Sequence, residues 1–252
     1  MIRRAAYLLA GATASGKSAA AAQLAREMGA AVLSADSMLV YRGMDVGTAK
    51  PPASERAEFD MGGVDVVTPA EHFSSGAWLR AAAAWLAGLP ADRPVVVVGG
   101  TGLYFSALLR GLDRRWTNPP PAYPVLLAER PVLHARIAAR LDTMFLDGLA
   151  AEVAALREAY PVWSDTASAA IGYKEFIDGL PLAEVRERIL VRTRQLAKRQ
   201  DTWFRHQATP LWVPIGATAG ETAARVRRVW DAHGPWTVTL PDSDSVPFGA
   251  DI

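Results

Sequence analysis

The sequence predicts an α/β fold of three layers, with a parallel sheet in the middle and additional helices toward the C-terminus. Three observations carry that prediction. Short apolar runs closed by glycine alternate with helical stretches through the first half of the chain. Four consecutive valines, Val95 to Val98, follow Pro94, as in a strand covered on both faces. Strand, loop and helix recur in that order, which builds a sandwich with right-handed crossovers.

Ala6 to Ala10 reads as a central parallel strand, an apolar run ending in glycine. Lys17 to Met28 has the Ala, Leu, Gln, Arg and Glu content of a helix, stopped near Gly29. Ala31 to Ser34 is a second buried strand. It delivers Asp36 just past its C-terminal end, the edge at which open α/β sheets hold ligands. Lys50 to Pro69, rich in proline, glycine and acids, reads as an irregular excursion. Ser75 to Leu86 returns to helix, with Ala77, Ala81 and Trp85 along one face. Gly99-Gly100-Thr101-Gly102 closes the valine strand, and Leu103 to Leu109 resumes a helix.

Arg110 to Pro124, with Asn118 and Pro119 to Pro121, reads as a junction or linker. Val132 to Tyr160 is helical, with Leu133, Ile137, Leu141, Met144 and Phe145 at three- and four-residue steps. Leu182 to His206 is a second long amphipathic helix, and Leu211 to Ile215 and Trp236 to Leu240 are candidate late strands. The expected division is a core, first part, over 1–115, a linker or shortened insertion over 116–131, and a helical, core-completing region over 132–252.

A chain of 252 residues is long enough to bury a core, and 50% hydrophobic with 21% charged residues is ordinary for a soluble globular protein. The absence of cysteine excludes disulfides, thiolate catalysis and Cys-based metal sites. His72, His134, His206 and His233 stand singly, which argues against a histidine metal centre. The apolar run from Ala5 to Ala10 is too short for a signal or a spanning helix, so a cytoplasmic protein without a membrane partner is expected. The net charge of +1 hides a local concentration. Arg186, Arg188, Arg192, Arg194, Lys198, Arg199 and Arg205 face only Glu187 and Asp201 in that stretch, a basic stripe.

Gly11-Ala12-Thr13-Ala14-Ser15-Gly16-Lys17-Ser18 satisfies the pattern G-x-x-x-x-G-K-[ST] in its required context, after a strand and before a helix. Such a loop turns successive N–H groups onto phosphate oxygens, and the following helix adds its positive end. Lys17 brings a mobile charge, and Ser18 offers an oxygen to a magnesium ion. The expected fold is therefore a P-loop NTPase-like three-layer sandwich. The loop alone leaves the chemistry open: it serves γ-phosphoryl transfer or stabilises diphosphate as a leaving group. Asp36 beside it can hold magnesium through water or accept a proton, against the plainer role of a cap. Thr101, framed by glycines at the same edge, suits a phosphate or a base edge, or caps the next helix. Arg42 to Lys50 has the composition of a loop laid over a site.

Taken together, the blocks GATASGKS from Gly11, DSMLVYRGMDVGTAKP from Asp36, VGGTGLY from Val98, RIAARLDTMFLDGL from Arg136, AAIGYKEF from Ala169 and TRQLAKRQDTWFR from Thr193 resemble the tRNA dimethylallyltransferases, or tRNA isopentenyltransferases. The resemblance implies transfer of the dimethylallyl group of dimethylallyl diphosphate to N6 of the adenosine 3′ of the anticodon, in tRNAs reading codons that begin with U. It implies a magnesium requirement and a loop that holds diphosphate rather than ATP. Asp36 would take the proton from N6, and Ser37, Met38 and Leu39 would line the adenosine. Thr13 and Thr101 would position the reacting groups. Gly11 to Ser18 with one of Arg136 or Arg140 would surround the diphosphate. Ala169, Ala170, Ile171, Gly172, Tyr173 and Lys174 would contact tRNA, and Lys198 and Arg199 of the basic stretch would help hold its anticodon stem-loop. A monomer is expected. A small-molecule or nucleotide kinase and a non-catalytic RNA-binding adaptor are the competing functions.

Three departures stand out. Relatives usually carry a helical insertion after the Gly-Thr-Gly block that grips the anticodon stem-loop, yet here the chain passes from Leu112 through the prolines to Leu133. Met61-Gly62-Gly63 stands where Pro-His-His is common, and Ala12 replaces the usual proline. Of two accounts of the short middle, a genuine absence and a mobile appendage dropped from the numbered chain, the second is favoured. The Cα spacing between Gly111 and Pro124 tests it.

Overall fold

The computed structural model of the chain describes residues 2–110 and 122–240. Its elements run β1 (Ile2–Gly11), α1 (Lys17–Met28), β2 (Ala31–Ser34), α2 (Ala53–Glu58), α3 (Ser75–Ala87), β3 (Val95–Gly99) and α4 (Gly102–Arg110). The second half adds β4 (Tyr123–Leu127), α5 (Arg130–Leu146), α6 (Leu149–Ala159), α7 (Asp165–Ser168), α8 (Lys174–Ile177), α9 (Leu182–Gln207), β5 (Pro210–Pro214), α10 (Ala219–His233) and β6 (Trp236–Leu240). The Cα spacing expected to explain the short middle falls on residues 111–121, outside the described residues.

The sheet has the order β2-β3-β1-β4-β5, all parallel, and β6 adds antiparallel to the first half of β1. Helices α1 and α10 cover one face, and α3, α4 and α9 pack on the other, which gives the three layers that the sequence predicts. β2 and β3 are buried along their whole length, as uninterrupted apolar strands between helical layers should be. Leu8, in the gap that β6 and β4 leave along β1, has its carbonyl satisfied by the Trp230 indole N–H at 2.9 Å. Arg4 closes the end of α3, donating to the carbonyls of Leu86, Leu89 and Pro90 at 2.7 to 2.9 Å.

Among the differences from the sequence reading, four bear on the core and on the frame of the site. β4 lies in the stretch read as linker, yet it is a buried strand between β1 and β5. Pro124, with no N–H to give, sits ahead of the first residue paired to β1, Val125, where the lost donor costs nothing to that ladder. The short helix α2 interrupts the excursion after Lys50. The core face of α3 runs through Trp78, Leu79, Ala82, Ala83 and Leu86, while Ala77, Ala81 and Trp85 pack at its margin. The helical stretch after Val132 is two helices, broken at Gly148, whose φ of 92° no side chain adopts readily. Among the described residues no helix is long and apolar enough to cross a membrane.

Candidate active site

The loops at the C-terminal ends of β1, β2 and β3 meet over one cavity of about 500 Å³. Topology dictates the place. Strand order reverses between neighbours of β1, and the crevice outside the carboxyl ends of the strands opens there.

The loop from Gly11 to Ser18 turns tightly between β1 and α1. Ala14 and Gly16 both take positive φ, 63° and 89°, so the chain curls back on itself and Ser15 N–H donates to the Ala12 carbonyl at 3.2 Å. Gly16 is the N-cap of α1 in this left-handed conformation, so the first turn of α1 starts from the loop itself. Lys17, Ser18 and Thr13 line the cavity. Burial lowers the Lys17 ammonium to about 8; Asp36 opposes that shift and Arg140 adds to it.

Spacing leaves Arg136 and Arg140 as equal candidates for the diphosphate, and the structure gives them different partners on the loop. Arg140 lines the cavity and donates to the Thr13 hydroxyl at 2.7 Å. Arg136 donates to the carbonyls of Ser15 and Ala14 at 3.3 and 3.5 Å and is not among the residues that line the cavity. Burial also lowers the pKa of the Arg140 guanidinium, against the pull of Asp36.

Across the cavity Asp36 follows β2. One carboxylate oxygen accepts from the Met38 N–H at 3.0 Å, and the residue faces Lys17 and Arg140 electrostatically. Thr101 fixes the neighbouring backbone: its hydroxyl accepts from the Ser37 N–H at 2.9 Å and lies 3.3 Å from the Ser37 hydroxyl, while its own N–H donates to the Ala35 carbonyl at 3.1 Å. Ser37, Met38 and Leu39 line the same cavity. A positive loop and a carboxylate thus face one another across a volume that fits a small organic substrate.

The segment from Ala169 to Lys174 forms part of the rim, with mixed exposure. Ala169, Ala170, Ile171 and Gly172 line the cavity. Tyr173 is fully buried, and its hydroxyl donates to Glu152 at 2.6 Å. Lys174 pairs with Asp178 at 3.0 Å, on the surface. The basic stripe on α9 is partly neutralised within the fold. Arg186 pairs with Asp142, Arg188 with Glu184, Arg192 with the buried Glu175 and Arg205 with Asp201. Lys198 and Arg199 are exposed and make no ion pair among the described residues, and Arg199 lines the cavity. Phe204 is fully buried and Trp203 packs on Gly102, so both anchor the core.

Sequence reading missed three hubs. Glu152 accepts from the N–H groups of Asp45, Val46 and Gly47 at 2.7 to 3.1 Å and so holds the loop over the site. Glu175 accepts from Gly172 N–H at 2.8 Å and from Arg192 at 2.5 Å. Gln200 bridges the Thr13 N–H and the Gly100 carbonyl. Their partners lie up to 187 residues away, beyond any local pattern. Among the described residues no group of three His, Cys, Asp or Glu side chains forms a metal cluster. The Ser18 hydroxyl and the Asp36 carboxylate are hard oxygen donors on one cavity, which fits a magnesium ion that takes its other ligands from phosphate and water.

Comparison with known proteins identifies the family. The family model for IPP transferase matches residues 39–123 and 114–207, and that for isopentenyl transferase matches residues 4–60. A tRNA dimethylallyltransferase of Azoarcus sp. (strain BH72) is 35% identical over 302 aligned positions, covering 88% of this chain and 94% of the relative. That share of 252 residues supplies about 222 positions, so about 80 in the relative face no residue here. The two matches of the first model overlap at 114–123, in the short middle. A tRNA isopentenylpyrophosphate transferase structure from Staphylococcus epidermidis superposes with a TM-score of 0.78 at 22% identity, over 91% of this chain and 100% of that one. A eukaryotic dimethylallyltransferase acting on tRNA gives 0.71 at 21% identity, over 92% and 76%. The chain belongs to the tRNA dimethylallyltransferase family.

Proposed function

We infer that this chain transfers the dimethylallyl group of dimethylallyl diphosphate to the exocyclic N6 of the adenosine next to the anticodon, on its 3′ side, in tRNAs reading codons that begin with U. The observation that carries this reading is the pairing, across one cavity, of a phosphate loop bearing Lys17 and Arg140 with the carboxylate of Asp36. An adenine N6 is a weak nucleophile, because its lone pair is delocalised into the ring. It needs an electrophilic allylic carbon and a base for its proton. Asp36 supplies the base. As the C–O bond to the allylic carbon breaks, negative charge collects on the diphosphate, where loop N–H groups, Lys17 and Arg140 stabilise it. Ser18 would hold a magnesium ion, which supplies further positive charge to the leaving group.

Thr101 and the Ser37 backbone keep Asp36 oriented, and Ser37, Met38 and Leu39 form the wall for an extruded adenine. An anticodon-loop base costs less to extrude than a paired one. Lys198 and Arg199, exposed and without an ion pair among the described residues, attract the phosphate backbone. The chain acts in the cytoplasm as a monomer. A kinase gives no reason for the IGYKE and AKRQ segments, and an adaptor gives none for the opposed carboxylate and phosphate loop.

The test is incubation with magnesium, labelled dimethylallyl diphosphate and unmodified tRNA. Label appears in tRNA, on the adenosine 3′ of the anticodon. ATP-dependent phosphorylation of a small molecule without prenyl transfer contradicts the reading.

A further inference from the structure

We propose that Gln200 is a positioning residue that sets the distance between the diphosphate cradle and the base at Asp36. This inference rests on the site reading above. The Gln200 carbonyl oxygen accepts from the Thr13 N–H at 2.8 Å, and its amide nitrogen donates to the Gly100 carbonyl at 3.0 Å. One side chain on α9 thus ties the loop after β1 to the loop after β3. A side-chain amide offers an acceptor and a donor at a fixed separation, which is what two loops presenting an N–H and a C=O require.

Both ends lead straight to reacting groups. Thr13 also receives Arg140 at its hydroxyl, so the anchored residue carries one of the cations of the cradle. Gly100 is followed by Thr101, whose N–H and hydroxyl hold Ala35 and Ser37, the two neighbours of Asp36. The approach is close: a Cβ at Gly100 would come within 2.5 Å of the Gln200 amide nitrogen and 3.2 Å of the Gly11 carbonyl. Gln200 touches no reacting atom in this scheme. It holds the two halves of the reaction at one spacing, and a misplacement on the order of 1 Å is costly to rate.

The test is steady-state prenyl transfer to unmodified tRNA by the wild type, Gln200→Ala and Gln200→Glu, with magnesium and dimethylallyl diphosphate. In Gln200→Ala, kcat falls by roughly tenfold or more, while both KM values stay within about threefold, because the binding groups remain. Gln200→Glu keeps the acceptor and sets a carboxylate oxygen against the Gly100 carbonyl. Its kcat relative to wild type rises as pH falls from about 8 toward about 5.5, since a protonated carboxyl donates as the amide does. The ratio to wild type removes every pH effect that the two enzymes share.

A Gln200→Ala kcat within about twofold of wild type, or a Gln200→Glu ratio flat with pH, overturns the proposal. If the Ala variant does not fold, the pH ratio of the Glu variant decides alone. Asp36→Ala measured in parallel separates the two levels. Retained activity there overturns the site reading and this inference with it. Loss there, with both Gln200 variants behaving as wild type, overturns only the role of Gln200.

Discussion

Two groups of charged side chains lie on the same side of the sheet and are built in opposite ways. In the cradle, and among the described residues, Lys17 has one carbonyl at 3.3 Å, Arg140 one hydroxyl, and Asp36 one backbone N–H as hydrogen-bond partners. In the scaffold around it, Glu152 accepts from three backbone N–H groups and the Tyr173 hydroxyl. Lys50, with no exposed side-chain surface, meets the Tyr41 carbonyl, Asp45 and Asp65 at 2.6 to 2.7 Å. Burial is expensive for any charge, so a charge whose partners are all protein belongs to the fold. One left short of partners at a ligand edge belongs to a substrate. The cradle holds the second kind and the scaffold the first.

The largest effect that separates them is at Asp36. Asp36→Asn keeps shape and removes the base, and the single-turnover transfer rate falls by about 10²–10⁴ with unfolding by urea unchanged. A normal rate in that variant breaks the comparison on the cradle side. On the scaffold side, Glu152→Ala strips the acceptor from the Asp45 to Gly47 turn and from Tyr173. Urea denaturation should show about 2–4 kcal/mol less stability, with transfer per folded molecule reduced far less than in Asp36→Asn.

The pH response sharpens the picture at Lys17. Its folded pKa of about 8 lies below the ordinary lysine value of 10.5, so in the free site it is charged below that pH and neutral above it. Calorimetric affinity for dimethylallyl diphosphate weakens above pH 8, by up to about tenfold per pH unit, as the cation is lost. Lys17→Arg, charged throughout, removes the break. The smallest effect is on the rim. Lys198→Ala and Arg199→Ala each weaken tRNA binding a few-fold and lower the slope of log affinity against log salt by about 0.9.

The cradle was legible in sequence because it is local. A glycine-rich loop between an apolar run and an Ala-rich helix carries its own context, and Asp36 follows β2 by two residues. The scaffold was not, because Glu152 and Gln200 act at separations of 107 and 187 residues. β4 was hidden by its own proline beside a proline cluster. α10 was missed although its signal was present: Thr218 and Glu221 have capping-box spacing, and the Thr218 hydroxyl accepts from the Glu221 N–H at 3.1 Å. Arg136 and Arg140 lie one helical turn apart, so only three dimensions could show that Arg140 lines the cavity while Arg136 donates to loop carbonyls.

The most direct measurement sets transfer rate per folded molecule against unfolding free energy for Asp36→Asn and Glu152→Ala in one preparation series. The account predicts two separate displacements: Asp36→Asn loses rate at wild-type stability, and Glu152→Ala loses stability while its folded molecules go on transferring the prenyl group. Both variants losing rate and stability in the same proportion would contradict it.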